Sequence, residues 1–107
     1  AEHMRLARLF ACWIDASRDF ERLAPVPLSV VCFRAHPVGF EAGEGALDAL
    51  NVRLLDAVNG SGDVFLSHTR IDGQQTLRLA VGHIRTTERH VARAWELLNE
   101  HLTRLVS

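Results

Sequence analysis

The sequence predicts an α+β fold: a small antiparallel sheet backed by helices on one face, in the order α-β-α-β-β-α. Three observations carry this. Leu28 to Ala35 is a nearly continuous apolar run of strand length. Asp72-Gly73 stands between two short segments, and that dipeptide suits the positive φ angles of a tight two-residue hairpin. Three other segments repeat apolar residues at helical spacing.

Leu6, Phe10 and Trp13, with Ala7 and Ile14, recur every three or four residues, so the first helix is expected from Glu2 to about Ser17. Phe20 to Pro27 contains Pro25 and Pro27, which fix φ and donate no backbone hydrogen bond; this stretch reads as extended chain or an edge strand. In Leu28–Ala35, Leu28, Val30 and Cys32 share one face and Val31 and Phe33 the other, which predicts a strand covered on both sides. His36 to Gly45 holds three glycines and a proline and reads as a loop. Leu47, Leu50, Leu54, Ala57 and Val58 form the stripe of a second helix, stopped by Asn59-Gly60-Ser61-Gly62.

Val64 to Ile71 is the second strand and Gln75 to Gly82 the returning one. On the latter, Leu77, Leu79 and Val81 line one face, and Thr76, Arg78, Ala80 and Gly82 line the other. The last helix is expected from about Thr87 to Val106, buried through Val91, Ala94, Trp95, Leu98, Leu102 and Val106. Glu88 in its first turn suits the helix dipole, and Glu100 with Arg104 makes a surface pair. The Leu77 face is predicted to meet the helices. The Arg78 face, small and polar with no helix over it, is predicted to meet a ligand or another domain.

With 107 residues the chain has room for one domain, spanning 1–107. A net charge of −1 gives no footprint for nucleic acid. No apolar run approaches the roughly 20 residues of a membrane span. Cys12 and Cys32 make no disulfide or metal framework; they read as reduced core thiols of a cytoplasmic protein. Trp13 and Trp95 lie on apolar stripes and read as core. All twelve basic residues are arginine, and the chain has no lysine.

Arg78 is the one candidate substrate-binding residue. A guanidinium is a planar fork that takes a carboxylate through two hydrogen bonds, and small neighbours on a rigid strand would present it well. The competing reading is a structural salt bridge. Arg34 is a similar but weaker candidate: it ends a buried strand, where a charge usually emerges into solvent, and the structural reading is favoured. The six histidines offer no i, i+4 pair and no tetrahedral set, so no metal site is expected; His68 and His83 come nearest, across the hairpin end. Ser29, Ser67 and Thr69 lack a base partner, and Gly39 to Gly45 fits no phosphate cradle. No catalytic and no cofactor-binding residue is expected within the chain. The first methionine is Met4: it is either a start preceded by added residues or an internal residue of a longer protein.

Phe20-Glu21 followed by Pro25-Val26-Pro27-Leu28-Ser29-Val30-Val31-Cys32-Phe33-Arg34 resembles the start of the C-terminal small domain of group II pyridoxal-phosphate-dependent amino-acid decarboxylases. That family includes the aromatic-L-amino-acid, tyrosine and tryptophan decarboxylases. Leu77-Arg78-Leu79-Ala80-Val81 followed by Thr86-Thr87-Glu88, His90-Val91 and Ala94-Trp95 resembles the end of the same domain. Asn59-Gly60-Ser61-Gly62 and Ser67-His68-Thr69 match the piece between. The resemblance implies the small domain of a type I pyridoxal-phosphate enzyme, a carboxy-lyase acting on aromatic L-amino acids, with some relatives forming aldehydes. It implies pyridoxal phosphate held by a lysine of a missing large domain, and a homodimeric parent. It makes this chain a C-terminal piece, inactive alone, that completes the substrate cleft. By resemblance Arg78 matches the strand arginine that many type I enzymes use for the substrate carboxylate. The rival reading is a free-standing α+β module whose sheet face binds a small acid or a partner chain.

Overall fold

A computed structural model describes residues 2–24, 29–81 and 87–107. The elements are α1 (Glu2–Ala16), β1 (Phe20–Arg22), β2 (Val30–Ala35), α2 (Glu44–Gly60), β3 (Ser67–Ile71), β4 (Gln74–Ala80) and α3 (Glu88–Val106). The four strands form one antiparallel sheet in the order β1-β2-β4-β3. The expected α+β architecture is the one found, and the stretch after Phe20 opens with an edge strand. The expectations for Leu28, Gly82, His83, Pro25 and Pro27 lie outside the described residues.

Alternation decides which side of the sheet is covered. Phe20, Val31, Phe33, Ala35, Leu77 and Leu79 are buried on one face. Leu6, Phe10 and Ile14 of α1, Leu47, Leu50, Leu54 and Val58 of α2, and Val91, Ala94, Leu98 and Leu102 of α3 close over them. Phe10 joins the layers: its ring centroid lies 5.4 Å from Phe33 and 5.9 Å from Trp95, both edge-on, and Trp95 lies 5.2 Å from Phe20. Such aromatic contacts add to simple area burial. Trp13 and Trp95 are half-buried and pack against this core from its margin.

Two asparagines of α2 fix the chain on either side of it. Asn51 is fully buried within the apolar stripe. Its Oδ1 accepts from the Ala35 backbone N–H at 2.8 Å, and its Nδ2 donates to the carbonyls of Ala35 at 3.0 Å and Leu47 at 2.9 Å. Asn59 repeats the device: Oδ1 accepts from Leu66 N at 2.7 Å and Nδ2 donates to Leu66 O at 2.9 Å. This corrects the start of the second strand. Val64 to Leu66 was expected in the ladder, but the Asn59 amide takes both backbone groups of Leu66, and β3 begins at Ser67. The Asp72-Gly73 turn has φ of 51° and 76°, the two positive angles that its sequence predicts.

Three further expectations are corrected. Cys12 is exposed and Cys32 half-buried, so neither is a core thiol, although both are free. Cys12 falls off the apolar stripe of α1, between the buried Phe10, Ala11 and Ile14. Val106, at the last turn of α3, is 49 % exposed and so does not belong to the buried stripe. Val30 and Cys32 are only half-buried, so β2 is fully covered on one side alone.

Candidate functional site

The face away from the helices carries Glu21, Val30, Cys32, Arg34, Thr76, Arg78, Ser67, Thr69 and Ile71, by register and alternation. Two arginines dominate it. Arg78 stands opposite Cys32 on β2 and opposite Ser67 on β3. It is half-buried, and among the described residues it makes no ion pair and no side-chain hydrogen bond.

Arg34 has the structural role favoured for it, but it does not emerge into solvent. Its side chain is 5 % exposed rather than solvent-facing. Nε donates to Glu21 Oε1 at 2.5 Å and Nη1 donates to Glu44 Oε2 at 2.9 Å. Glu21 comes from the neighbouring edge strand and Glu44 from the first residue of α2. The sequence separation of these partners hid the cluster. His36 Nδ1 lies 3.4 Å from the same Glu21 oxygen. Burial alone would raise the Glu21 carboxyl, but the hydrogen bonds and charges of Arg34 and His36 outweigh it, and Glu21 titrates below the usual carboxylate range. Burial opposes the charge on Arg34, yet the two carboxylates raise its pKa further.

This corner holds the loop between β2 and α2. His36 N donates to Asp19 O at 2.7 Å and Val38 N to Asp19 Oδ1 at 3.0 Å, so the loop is tied to the β1 approach as well. Two shallow clefts flank the loop. One, of about 360 Å³, lies among Arg18, Phe20, Glu21 and residues 36–40. The other, of about 210 Å³, lies among His36, Phe40, Glu41, Gly43, Glu44 and Leu47. Both are at or below the lower size limit of ordinary ligand pockets. Neither Arg34 nor Arg78 lines either of them, although the Arg34 partners Glu21 and Glu44 do. Among the described residues no three metal-ligating side chains converge. Ser67 and Thr69 have no base beside them on the exposed side of β3, and Ser29 is engaged through its carbonyl by Val81 N at 2.7 Å.

No model of a known protein family matches the chain. Individual proteins do. A tryptophan decarboxylase from Camptotheca acuminata is 40 % identical over 97 residues, covering 91 % of this chain and 19 % of that protein. A phenylacetaldehyde synthase from Arabidopsis thaliana is 39 % identical over 104 residues, covering 97 % of this chain and 21 % of that protein. The crystal structure of Catharanthus roseus tryptophan decarboxylase in complex with L-tryptophan superposes with a TM-score of 0.88 at 35 % identity, covering 97 % of this chain and 21 % of that one. The chain is thus similar, over nearly its whole length, to part of plant tryptophan decarboxylases and of a phenylacetaldehyde synthase. It spans about a fifth of the length of the curated relatives it matches.

The residues of this chain do not by themselves fit pyridoxal phosphate. The chain has no lysine to carry the cofactor. Among the described residues no buried polar side-chain atom is left without a partner, so no set of donors waits for a phosphate or a ring nitrogen. What the sheet offers is one arginine, Arg78, that has no partner among the described residues. Among the described residues no helix is long and apolar enough to cross a membrane.

Proposed function

We propose that residues 1–107 are one domain, the C-terminal small domain of a pyridoxal-phosphate-dependent carboxy-lyase acting on an aromatic L-amino acid, and that this domain completes the substrate cleft without being catalytic alone. The absence of lysine carries this reading. A chain that folds like a decarboxylase domain yet lacks the amine that holds the cofactor needs the rest of the enzyme to act. The named relatives include both tryptophan decarboxylases and a phenylacetaldehyde synthase, so the parent removes the carboxylate or goes on to an aldehyde. We place the parent in the cytoplasm as a homodimer, with the large domain and the second subunit as the partners of this chain.

Arg78 is the residue proposed to touch substrate, by holding the carboxylate of the incoming amino acid. Its role is orientation. A clamp that gripped the carboxylate tightly would stabilise the ground state of a decarboxylation and slow it.

Two measurements test the reading. The gene upstream should continue in frame through a segment several times longer that supplies a cofactor-binding lysine; a stop codon directly before Met4 overturns the proposal. The encoded full-length protein should release carbon dioxide or form an aldehyde from tryptophan, tyrosine or phenylalanine. Residues 1–107 alone should give no side chain labelled by pyridoxal phosphate after borohydride reduction.

A further inference from the structure

We propose that Asn59-Gly60 is a self-modification site: the Asn59 carboxamide deamidates through a cyclic imide, the clip it makes on Leu66 restrains the reaction, and the reaction destroys the clip. This goes beyond the proposed function and does not depend on it. The chain has three asparagines, and Asn59 alone is followed by glycine; Asn51 precedes Val52 and Asn99 precedes Glu100. In the reaction the peptide nitrogen of Gly60 attacks Cγ of Asn59. The N–Cγ bond forms, the Cγ–Nδ2 bond breaks, and the amino group leaves as ammonia with the proton of the attacking nitrogen. Water then opens the imide at either carbonyl, giving aspartate or isoaspartate, and nothing is oxidised or reduced. A side chain on the second residue hinders the approach; glycine has none, and the widest choice of φ and ψ.

Two features of the fold hold the reaction back. The carboxamide is engaged at both ends, Oδ1 accepting from Leu66 N at 2.7 Å and Nδ2 donating to Leu66 O at 2.9 Å. Gly60 closes α2, and beyond it Ser61 N donates to Val58 O and Gly62 N to Asn59 O, both at 3.2 Å. For Gly60 N to reach Cγ, the Asn59 peptide must leave its helical turn and the carboxamide must swing off Leu66. The reactive state is therefore one with the clip open. The product does not close it again. An ionised carboxylate only accepts, so its second oxygen would face the Leu66 carbonyl with no proton between them. It also places a negative charge at the C-terminal end of α2, which the helix dipole disfavours. In isoaspartate the main chain runs through the former side chain, which adds a carbon at the helix end. The backbone that loses its tether is the approach to β3, one residue before Ser67, the ladder partner of Arg78.

Peptide mapping of the full-length protein, incubated at neutral pH both folded and in denaturant, tests this. Asn59 should convert to aspartate and isoaspartate in denaturant and about thirtyfold more slowly in the folded protein, the factor set by two hydrogen bonds that must open first. Gly60→Ala should slow the reaction in denaturant several-fold. That variant should keep the fold, because nothing lies within 4 Å of the added Cβ and Gly60 is not at a positive φ. Asn59→Asp stands in for the product: hydrogen exchange at Leu66 should rise about tenfold or more, with the helical circular dichroism kept. Equal conversion folded and in denaturant, or no conversion in denaturant, overturns the proposal. So does Gly60→Ala converting as fast as the native sequence, since the imide is then not the route. Unchanged Leu66 exchange in Asn59→Asp overturns it as well, since the product then keeps the clip.

Discussion

Arg34 and Arg78 project from the same side of adjacent strands. Arg34 is buried and forked between two carboxylates brought from β1 and α2. Arg78 is half-buried and, among the described residues, pairs with nothing. The difference separates a charge that builds the fold from one that the fold leaves available. Moving a guanidinium out of water costs several kcal/mol, and only good partners offset it. At Arg34 the partners are present, so its role is met within the domain: it fastens the edge strand, the loop and the start of α2 together. At Arg78 no such partner is found among the described residues.

The sharpest way to break this comparison is to strip Arg34 of both partners. Glu21→Ala with Glu44→Ala leaves a buried cation unpaired and should cost roughly 3 kcal/mol in denaturant unfolding. A loss below about 1 kcal/mol would mean that water already reaches Arg34, and the two arginines would no longer differ in kind. Next in size is Asn51→Leu, which keeps the bulk but leaves the N–H and C=O of Ala35, the residue after Arg34, without partners. The expected cost is about 2 kcal/mol. Amide hydrogen exchange at Ala35 should rise in that variant while exchange in β4 is much less affected. Equal acceleration in both strands would argue against a local clip.

Acid titration gives a smaller signal. The folded pKa of Glu21 lies below its unfolded value. Its contribution is therefore complete above the unfolded carboxylate range and is lost as pH falls through the lower, folded value. Glu21 is 40 % exposed, so solvent screening holds the effect to about 0.5 kcal/mol. Glu21→Gln should flatten this part of the stability curve; an unchanged acid limb would remove Glu21 from the account.

Much of this was legible in the chain. The periodicities of Leu6 to Ile14, Leu47 to Val58 and Val91 to Leu102 placed the helices, and Asp72-Gly73 placed the hairpin, because each signal is local. The corner at Arg34 was not legible, since Glu21 and Glu44 reach it only once β1 pairs with β2 and the loop folds back. Asn51 carried a readable signal: a polar residue inside an apolar helical stripe needs buried partners. The Asn59 clip gave no such signal, because asparagine before glycine also marks an ordinary helix end. Arg78 was legible for the opposite reason. Its surroundings on β4 are set by alternation alone, and alternation put it on the uncovered face.

The last comparison asks whether Arg78 is only a spare surface charge. In residues 1–107, Arg78→Gln should change stability by no more than about 0.5 kcal/mol, since no partner among the described residues is lost. In the full-length enzyme the same change should raise KM for the amino acid by about tenfold or more, the value of a charge-assisted contact to a carboxylate. The fall in kcat should be smaller, because the contact exists before the carboxylate departs. The product amine provides the control. It keeps the side chain and the amino group but has no carboxylate, so its inhibition constant should be the same for both proteins. If the variant weakens amine and amino acid in parallel, Arg78 shapes the cleft through its packing and does not grip the acid.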